Sequence, residues 1–348
     1  MTGTYQRIAT EEAWAIREQM DAMRKLADSG SADPDFALWR VLLGDSEPSK
    51  IVIRRLLDLG QERLRSTDEQ GVAMQLLLLT SPGPQMFDAD TGTELAILAN
   101  DRLAEAIRAQ PTRYAGLAAI APQDPWRAVR EIERAMTKLH LNGIVINSHI
   151  DGEYLDELKY WPILEAAAEL EAPIYIHPRA PSRAMAQPYA KYHLEDAIWG
   201  FQAEAGLHGI RLIMSGVFDR YPKLRIVLGH MGEGIPYWLH RVDYMHRASA
   251  GSQMAADRGI EWRPKLKQRP SDYFRQNFLI TTSGVNHSPV LEFCIRELGA
   301  DNIMWAIDYP YQRTADATAF MDAAPIPDAD KRKIYHRNAE RVFKINSQ

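Results

Sequence analysis

The chain predicts an α/β fold closed as a (β/α)8, TIM-type barrel with a helical insertion after the first strand. Three observations carry that expectation. Eight short runs, almost continuously apolar, recur along the 348 residues, as strands buried on both faces do. Amphipathic stretches separate them, and such repeated strand–helix alternation favours a closed barrel over an open sheet. The first run is followed by Glu11-Glu12-Ala13-Trp14, not by the glycine-rich phosphate loop that opens a doubly wound sheet.

The predicted strands are residues 6–10, 73–79, 115–120, 143–147, 174–177, 225–228, 278–281 and 303–307. A helix over 126–140 places Val129, Ile132, Ala135, Met136 and Leu139 on one face. A shorter one over 163–170 follows Pro162, which suits a helix's first turn; another over 290–298 precedes the last strand. The long gap between the first two strands reads as an insertion over 15–66 within a single domain of 1–348. It holds a helix over 15–26, the turn-rich segments 28–34 and 44–48, and a helix over 54–66. An insertion of this size at the C-terminal face of a barrel caps the site or builds subunit contacts.

The bulk properties exclude several classes. The composition, 46% hydrophobic and 25% charged, is that of an ordinary globular chain. A formal net charge of -5, with the basic residues dispersed, speaks against nucleic-acid binding. The densest basic stretch, 265–269, reads as a solvated loop. Cys294 is the one cysteine, so neither an intrachain disulfide nor a CxxC site is possible; its apolar surroundings predict a core thiol. The N-terminus carries no secretory pattern and no run approaches a membrane span, so a cytoplasmic location without membrane partners is expected.

Barrel chemistry gathers at the C-terminal ends of strands. The residues there are Glu11, Thr80, Asn147-Ser148-His149, His177, His230 and Asp308. Two carboxylates and two imidazoles facing one point are the donor set a divalent cation needs. Each also has an ordinary alternative: Glu11 as a helix-start acid in competition with Glu12, Asp308 as a turn cap before Pro310, His177 and His230 as structural histidines, His149 as a surface loop residue. Mixed oxygen and nitrogen donors suit Mn²⁺ or Zn²⁺.

The segment 218–233, FDRYPKLRIVLGHMGE, resembles a signature of the amidohydrolase superfamily branch that contains aminocarboxymuconate semialdehyde decarboxylase. Ile176-His177-Pro178 and Ala306-Ile307-Asp308-Tyr309-Pro310 match two further motifs of that branch in order. The opening RIATEEA at 7–13 looks like that of its aromatic-acid decarboxylases, and the pieces at 79–83, 121–125, 146–149, 236–239 and 308–311 are most similar to the 5-carboxyvanillate decarboxylase family. The resemblance implies one divalent metal, Mn²⁺ first and Zn²⁺ as the alternative, held by Glu11, His177 and Asp308. It implies that His230 is oriented by Glu233, that Arg241 binds the substrate carboxylate, that Thr80 and Tyr311 line the pocket near the ring substituents, and that Phe201 stacks on the ring. The branch's first-strand motif usually supplies a second ligand where this chain has Ala13. A substrate-facing arginine of the close relatives aligns with Pro48, near Lys50, which opens the identity of the substrate.

The expected reaction is nonoxidative decarboxylation of an ortho-hydroxylated aromatic acid, with Asp308 as proton donor to the ring carbon and His230 binding the phenol or shuttling its proton. A metal-dependent hydrolase or hydratase on the same barrel is the alternative, and a noncatalytic binding barrel a third. The expected partner is a small aromatic carboxylate, and the expected assembly a homodimer or homotetramer built on the insertion and the Tyr237-Trp238-Leu239 segment.

Overall fold

The computed structural model describes residues 5–250, 253, 257 and 264–345. Its strands are β1 (Ile8–Trp14), β2 (Met74–Leu79), β3 (Tyr114–Gly116), β4 (Ala118–Ala119), β5 (Ile144–Asn147), β6 (Ile174–His177), β7 (Ile226–Leu228), β8 (Phe278–Thr281) and β9 (Ile303–Met304). All ladders are parallel and follow chain order, as a three-stranded run β1-β2-β3 and a six-stranded run β4 to β9. β3 and β4 are halves of one stave interrupted at Leu117. The seam is bridged there by Leu117 N–H to the Leu77 carbonyl and Ala118 N–H to the Gly143 carbonyl, both 2.8 Å. On the other side, Thr10 N–H donates to the Trp305 carbonyl at 3.1 Å and Asp308 N–H to that of Glu11 at 3.1 Å. Eight staves therefore meet in a (β/α)8 barrel.

Strand composition explains this layering. Val145, Tyr175, Val227, Leu279 and Met304 belong to one buried cluster, while Ile144, Ile174, Ile226, Phe278 and Ile303 pack with the helices in another. Successive side chains point to opposite faces, and here both faces are apolar. This is why the runs read as continuous rather than alternating.

Several boundaries correct the sequence reading. The first strand runs through Trp14, so Glu11 stands inside β1 rather than after it; the β1–β2 register shifts between Ala9 and Glu12, and a bulge of this kind re-aims side chains. The last strand ends at Met304, which leaves 305–308 as a loop that carries Asp308. The three predicted outer helices appear as Pro125–Thr137, Trp161–Glu169 and Ser288–Leu298.

Four helices separate β1 from β2: α1 (Arg17–Asp28), α2 (Phe36–Leu42), α3 (Glu47–Leu57) and α4 (Gln61–Asp68). The single helix expected over 54–66 is broken because the Asp58 carboxylate accepts from Gly60 N–H at 2.9 Å and Arg63 N–H at 2.7 Å, an Asx turn that competes with helix continuation. Ala13, Met20, Met23, Phe36, Trp39 and Leu56 form a separate apolar core under these helices, with Tyr311 packed against it. Buried Arg63 pins the unit to the barrel through the Ala13 carbonyl at 2.6 Å and Gln75 Oε1 at 3.2 Å. No described helix is long and apolar enough to cross a membrane. Cys294 is buried, as its apolar surroundings imply.

Candidate metal centre

Glu11 is 1% exposed, and a carboxylate at that depth needs partners. Its Oε2 accepts from the hydroxyls of Tyr175, Thr281 (2.8 Å) and Ser283. Its Oε1 is buried with no hydrogen-bond partner, and lies 3.7 Å from His177 Nε2 and 3.8 Å from His230 Nε2. His177 Nδ1 is 2.9 Å from the Pro178 carbonyl. That bond places the proton on Nδ1 and leaves the Nε2 lone pair facing the mouth, the usual arrangement of a ligating imidazole. Glu11, His177 and Asp308 offer ligand atoms within 4.8 Å of one another.

The electrostatics fit a cation at this point. Burial and the nearby Glu11 charge push the Asp308 carboxyl well above its usual range. Burial would raise Glu11 too, but His230, His177 and the hydroxyl donors outweigh it and hold it low. Burial lowers His177 and so favours the neutral form that ligation requires. A buried carboxylate with an orphaned oxygen, a half-buried carboxylate and a free imidazole lone pair form the donor set of a divalent ion.

Beside it, His230 Nδ1 lies 2.8 Å from Glu233 Oε1. Burial opposes the charged imidazole, yet Glu233 and Glu11 outweigh that and raise His230 to about 10. The backbone here is unusual: His230, Met231 and Glu233 have φ of 50, 56 and 53°, each in the left-handed region that costs a non-glycine residue roughly 1–2 kcal/mol. Such strain concentrates where a side chain must be aimed. Just before it, a Cβ on Gly229 would sit 3.0 Å from both Glu11 carboxylate oxygens. Asp308 shares the left-handed conformation at φ 72°.

Glu12, left undecided beside Glu11 in the sequence, has its own task. Its carboxylate accepts from Ile307 N–H at 3.0 Å and Tyr309 N–H at 3.3 Å, and so fixes the loop that presents Asp308. Burial pushes it up to about 8.

The other candidates divide. Thr80 and Tyr311 come together, with 2.6 Å between their hydroxyl oxygens. Phe201 is half-buried in the first turn of the helix Gly200–Met214. Arg241 is exposed on the helix Ile235–Ala250 and lines an outer groove of about 540 Å³ with Trp199, Trp238 and Met245, a groove that reaches Glu233. Lys50 faces Glu47 at 3.1 Å on the surface of α3. His149 is neither an exposed loop residue nor one of the clustered ligand residues: its Nε2 meets the Ala180 carbonyl at 3.0 Å and its Nδ1 accepts from Gly152 N–H at 3.2 Å. The strand-end reading passed over Tyr175, Thr281 and Ser283. The signal was a phenol inside an apolar strand two residues before His177, and a run of hydroxyls, Thr281-Thr282-Ser283, closing β8.

Residues 54–345 match the amidohydrolase family model. The γ-resorcylate decarboxylase of Polaromonas is 38% identical over 350 residues, covering 98% of this chain and 99% of that protein. The structure of 5-carboxyvanillate decarboxylase from Sphingomonas paucimobilis superposes with a TM-score of 0.93 at 48% identity, covering 98% of this chain and 100% of that one. The 5-carboxyvanillate decarboxylase of Novosphingobium aromaticivorans, complexed with manganese and 4-hydroxy-3-methoxy-5-nitrobenzoic acid, gives 0.93 at 43% identity over 98% and 96% of the two chains.

Proposed function

The chain belongs to the amidohydrolase family, and from that premise we propose that it removes CO2 from an ortho-hydroxylated aromatic acid of the 5-carboxyvanillate type, using Glu11, His177 and Asp308 to hold one manganese ion. It is a carbon–carbon lyase, a metal-dependent decarboxylase of a hydroxylated aromatic acid. The observation that carries the residue assignment is the convergence of the Glu11, His177 and Asp308 ligand atoms beside the orphaned Glu11 Oε1. When bound, the metal supplies a positive centre that orients a phenolate and neutralises its charge.

The chain's own groups do the rest. Electron donation from a phenolate makes the carboxyl-bearing carbon basic. Asp308 stands at this point and gives its proton to that carbon; a bound cation would favour its anion, and the negative charges of the substrate and of Glu11 beside it would oppose that and keep the proton on. The carbon–carboxyl bond then breaks, its electrons restore the aromatic ring, and CO2 leaves. His230 presents Nε2 toward the Glu11 side of the site while Glu233 holds its Nδ1, which suits it to bind the phenol or carry its proton. The Thr80–Tyr311 pair offers hydroxyls to ring substituents, and Phe201 supplies a ring face.

Arg241 is assigned to the substrate carboxylate. It lies in the outer groove with Trp199 and Trp238, 58 and 52% exposed, and Tyr237, 70% exposed, stands edge-on to Trp238 beside it. A face this aromatic fits a subunit contact, and the proposal includes a cytoplasmic homodimer or homotetramer that covers it. The insertion 15–66 belongs to the same single domain and caps the mouth. The test is a panel of ortho-hydroxybenzoates, 5-carboxyvanillate and γ-resorcylate included, incubated with manganese-loaded protein while CO2 is followed. Release from at least one is expected; products of water addition, or no CO2 from any, reject the reading.

A further inference from the structure

Arg179 lies two residues beyond His177 and is 1% exposed. A guanidinium at that depth must be paired. Its Nε donates to Asp35 Oδ2 at 2.7 Å, and its Nη2 to the same oxygen at 2.5 Å and to Asp33 at 3.2 Å. The second Asp35 oxygen accepts from Ala180 N–H at 2.9 Å. Both aspartates stand between α1 and α2, in the unit inserted after β1, whereas Arg179 and Ala180 continue β6. The Ala180 carbonyl is held from the other side by His149 Nε2 at 3.0 Å. Asp35 and His149 thus fix residue 180 by its N–H and its C=O. The Pro178 carbonyl, two residues earlier, sets the rotation of the His177 ring at 2.9 Å.

We propose that Asp35 is a positioning residue for His177, and that docking of the inserted helices on the barrel and metal binding at the mouth are coupled through the segment 178–180. The proposal rests on the assignment of His177 as a ligand. Loss of the Asp35 charge leaves Arg179 with Asp33 and the His149 carbonyl at 3.4 Å, and turns the acceptor of Ala180 N–H from a carboxylate into a neutral amide oxygen, so that both ties on 179–180 weaken. The Pro178 carbonyl then no longer holds the imidazole in one orientation, and metal affinity falls while the donor set stays intact. The reciprocal effect follows from linkage: metal at the mouth tightens the docking of 33–35 on the barrel.

The experiment is chelator competition for Mn²⁺ on the parent, Asp35→Asn and His177→Ala, with Asp156→Asn as a control that loosens the ion pair to Arg211. Asp35→Asn is expected to raise the Mn²⁺ Kd about tenfold or more, a shift of about 1.4 kcal/mol. Excess Mn²⁺ should restore its kcat to within about twofold of the parent, well under the tenfold that such a loss represents, a rescue that general loosening of the fold would not give. Should Asp35→Asn fail to fold, Asp35→Asn/Arg179→Gln removes both fully buried charges, leaves only the half-buried Asp33 carboxylate to solvent, and is read the same way. If the parent binds no Mn²⁺, or His177→Ala binds it as the parent does, the ligand assignment fails. If both behave as assigned and the Asp35 variant keeps the parent's affinity, the coupling is overturned.

Discussion

Thr80 and Tyr311 bring their hydroxyl oxygens to 2.6 Å across 231 positions of sequence, and so tie the end of β2 to the loop that carries Asp308. Tyr311 also packs against the apolar core of the inserted helices. In the proposed reaction the pair meets the substituents of a ring held at the metal. Tyr311→Phe keeps the ring and its packing and removes one hydroxyl. The expected result is a fall in kcat/KM of roughly 5- to 30-fold, the range for one hydrogen bond lost in a closed site, with an unchanged melting temperature. Thr80→Val should produce a similar loss, and the double variant less than the product of the two, because the groups share one bond. Parent-like kcat/KM in both single variants rejects the assignment.

A pH prediction comes from Glu204. This carboxyl is 1% exposed, its Oε2 has no partner, and Ser148 Oγ approaches Oε1 at 3.3 Å. Burial pushes it up to about 7. The folded chain then holds this proton more tightly than the unfolded chain between the ordinary carboxyl range and about pH 7. Stability therefore falls as pH rises across that window and levels off above it. The expected cost at pH 8 is up to about 3 kcal/mol. Glu204→Gln, with a neutral amide in the same place, should flatten the slope of melting temperature against pH between 5 and 7. A parallel slope in parent and variant contradicts the assignment.

How much of this was legible in the sequence differs by element. The strands were, because a stave buried on both faces writes itself as an apolar run, and 174–177 and 278–281 were read to the residue. The three residues whose ligand atoms converge, Glu11, His177 and Asp308, were visible as acids and a histidine beside such runs. The bulge in β1 was not. It arises from how Glu11 and Glu12 divide their tasks, one toward the mouth and the other toward Ile307 and Tyr309 N–H, and two adjacent glutamates look alike in one dimension. Nor were the hydroxyl partners of Glu11 visible, since Tyr175 and Thr281 meet it across 164 and 270 positions. The His149 environment is partly tertiary: Ala180 occupies its Nε2 across 31 positions, while Gly152 N–H in its own turn occupies its Nδ1.

Arg241 separates a role within one chain from a role in an assembly. It is exposed in the isolated chain and lies in a groove walled by Trp199 and Trp238. If it binds the substrate carboxylate, Arg241→Met should lower kcat/KM by roughly 10- to 150-fold, the range of a charge-assisted bond, mostly through KM. Substituting the aromatic wall instead, as in Trp238→Glu, should change the sedimentation of the protein and reduce activity with it. Unaltered kinetics in Arg241→Met remove the residue from the site, and a monomeric parent removes the aromatic face from the interface.

Asp308 has two assigned tasks, and one substitution separates them. Its loop is fixed at two points: Asp308 N–H donates to the Glu11 carbonyl at 3.1 Å, and the Asp308 carbonyl accepts from Gln312 N–H at 2.9 Å. Neither bond uses the side chain, so Asp308→Asn should keep the left-handed backbone at this position. Asparagine retains an oxygen for the metal but has no acidic proton to deliver to carbon. The variant should therefore bind manganese at more than half the parent stoichiometry, in line with one ligand of three being weakened rather than removed, and lose nearly all turnover. His230→Asn should be milder if that imidazole only orients the phenol. In D2O the product should carry deuterium at the carbon that lost CO2, with a solvent isotope effect if proton delivery limits the rate. The label alone does not name the donor, because several acids here exchange with solvent; metal content and rate of the two variants, measured side by side, do. Asp308→Asn that holds its metal and decarboxylates near the parent rate makes Asp308 a ligand only and moves the acid to His230, whose Nε2 lies 3.8 Å from Glu11 Oε1.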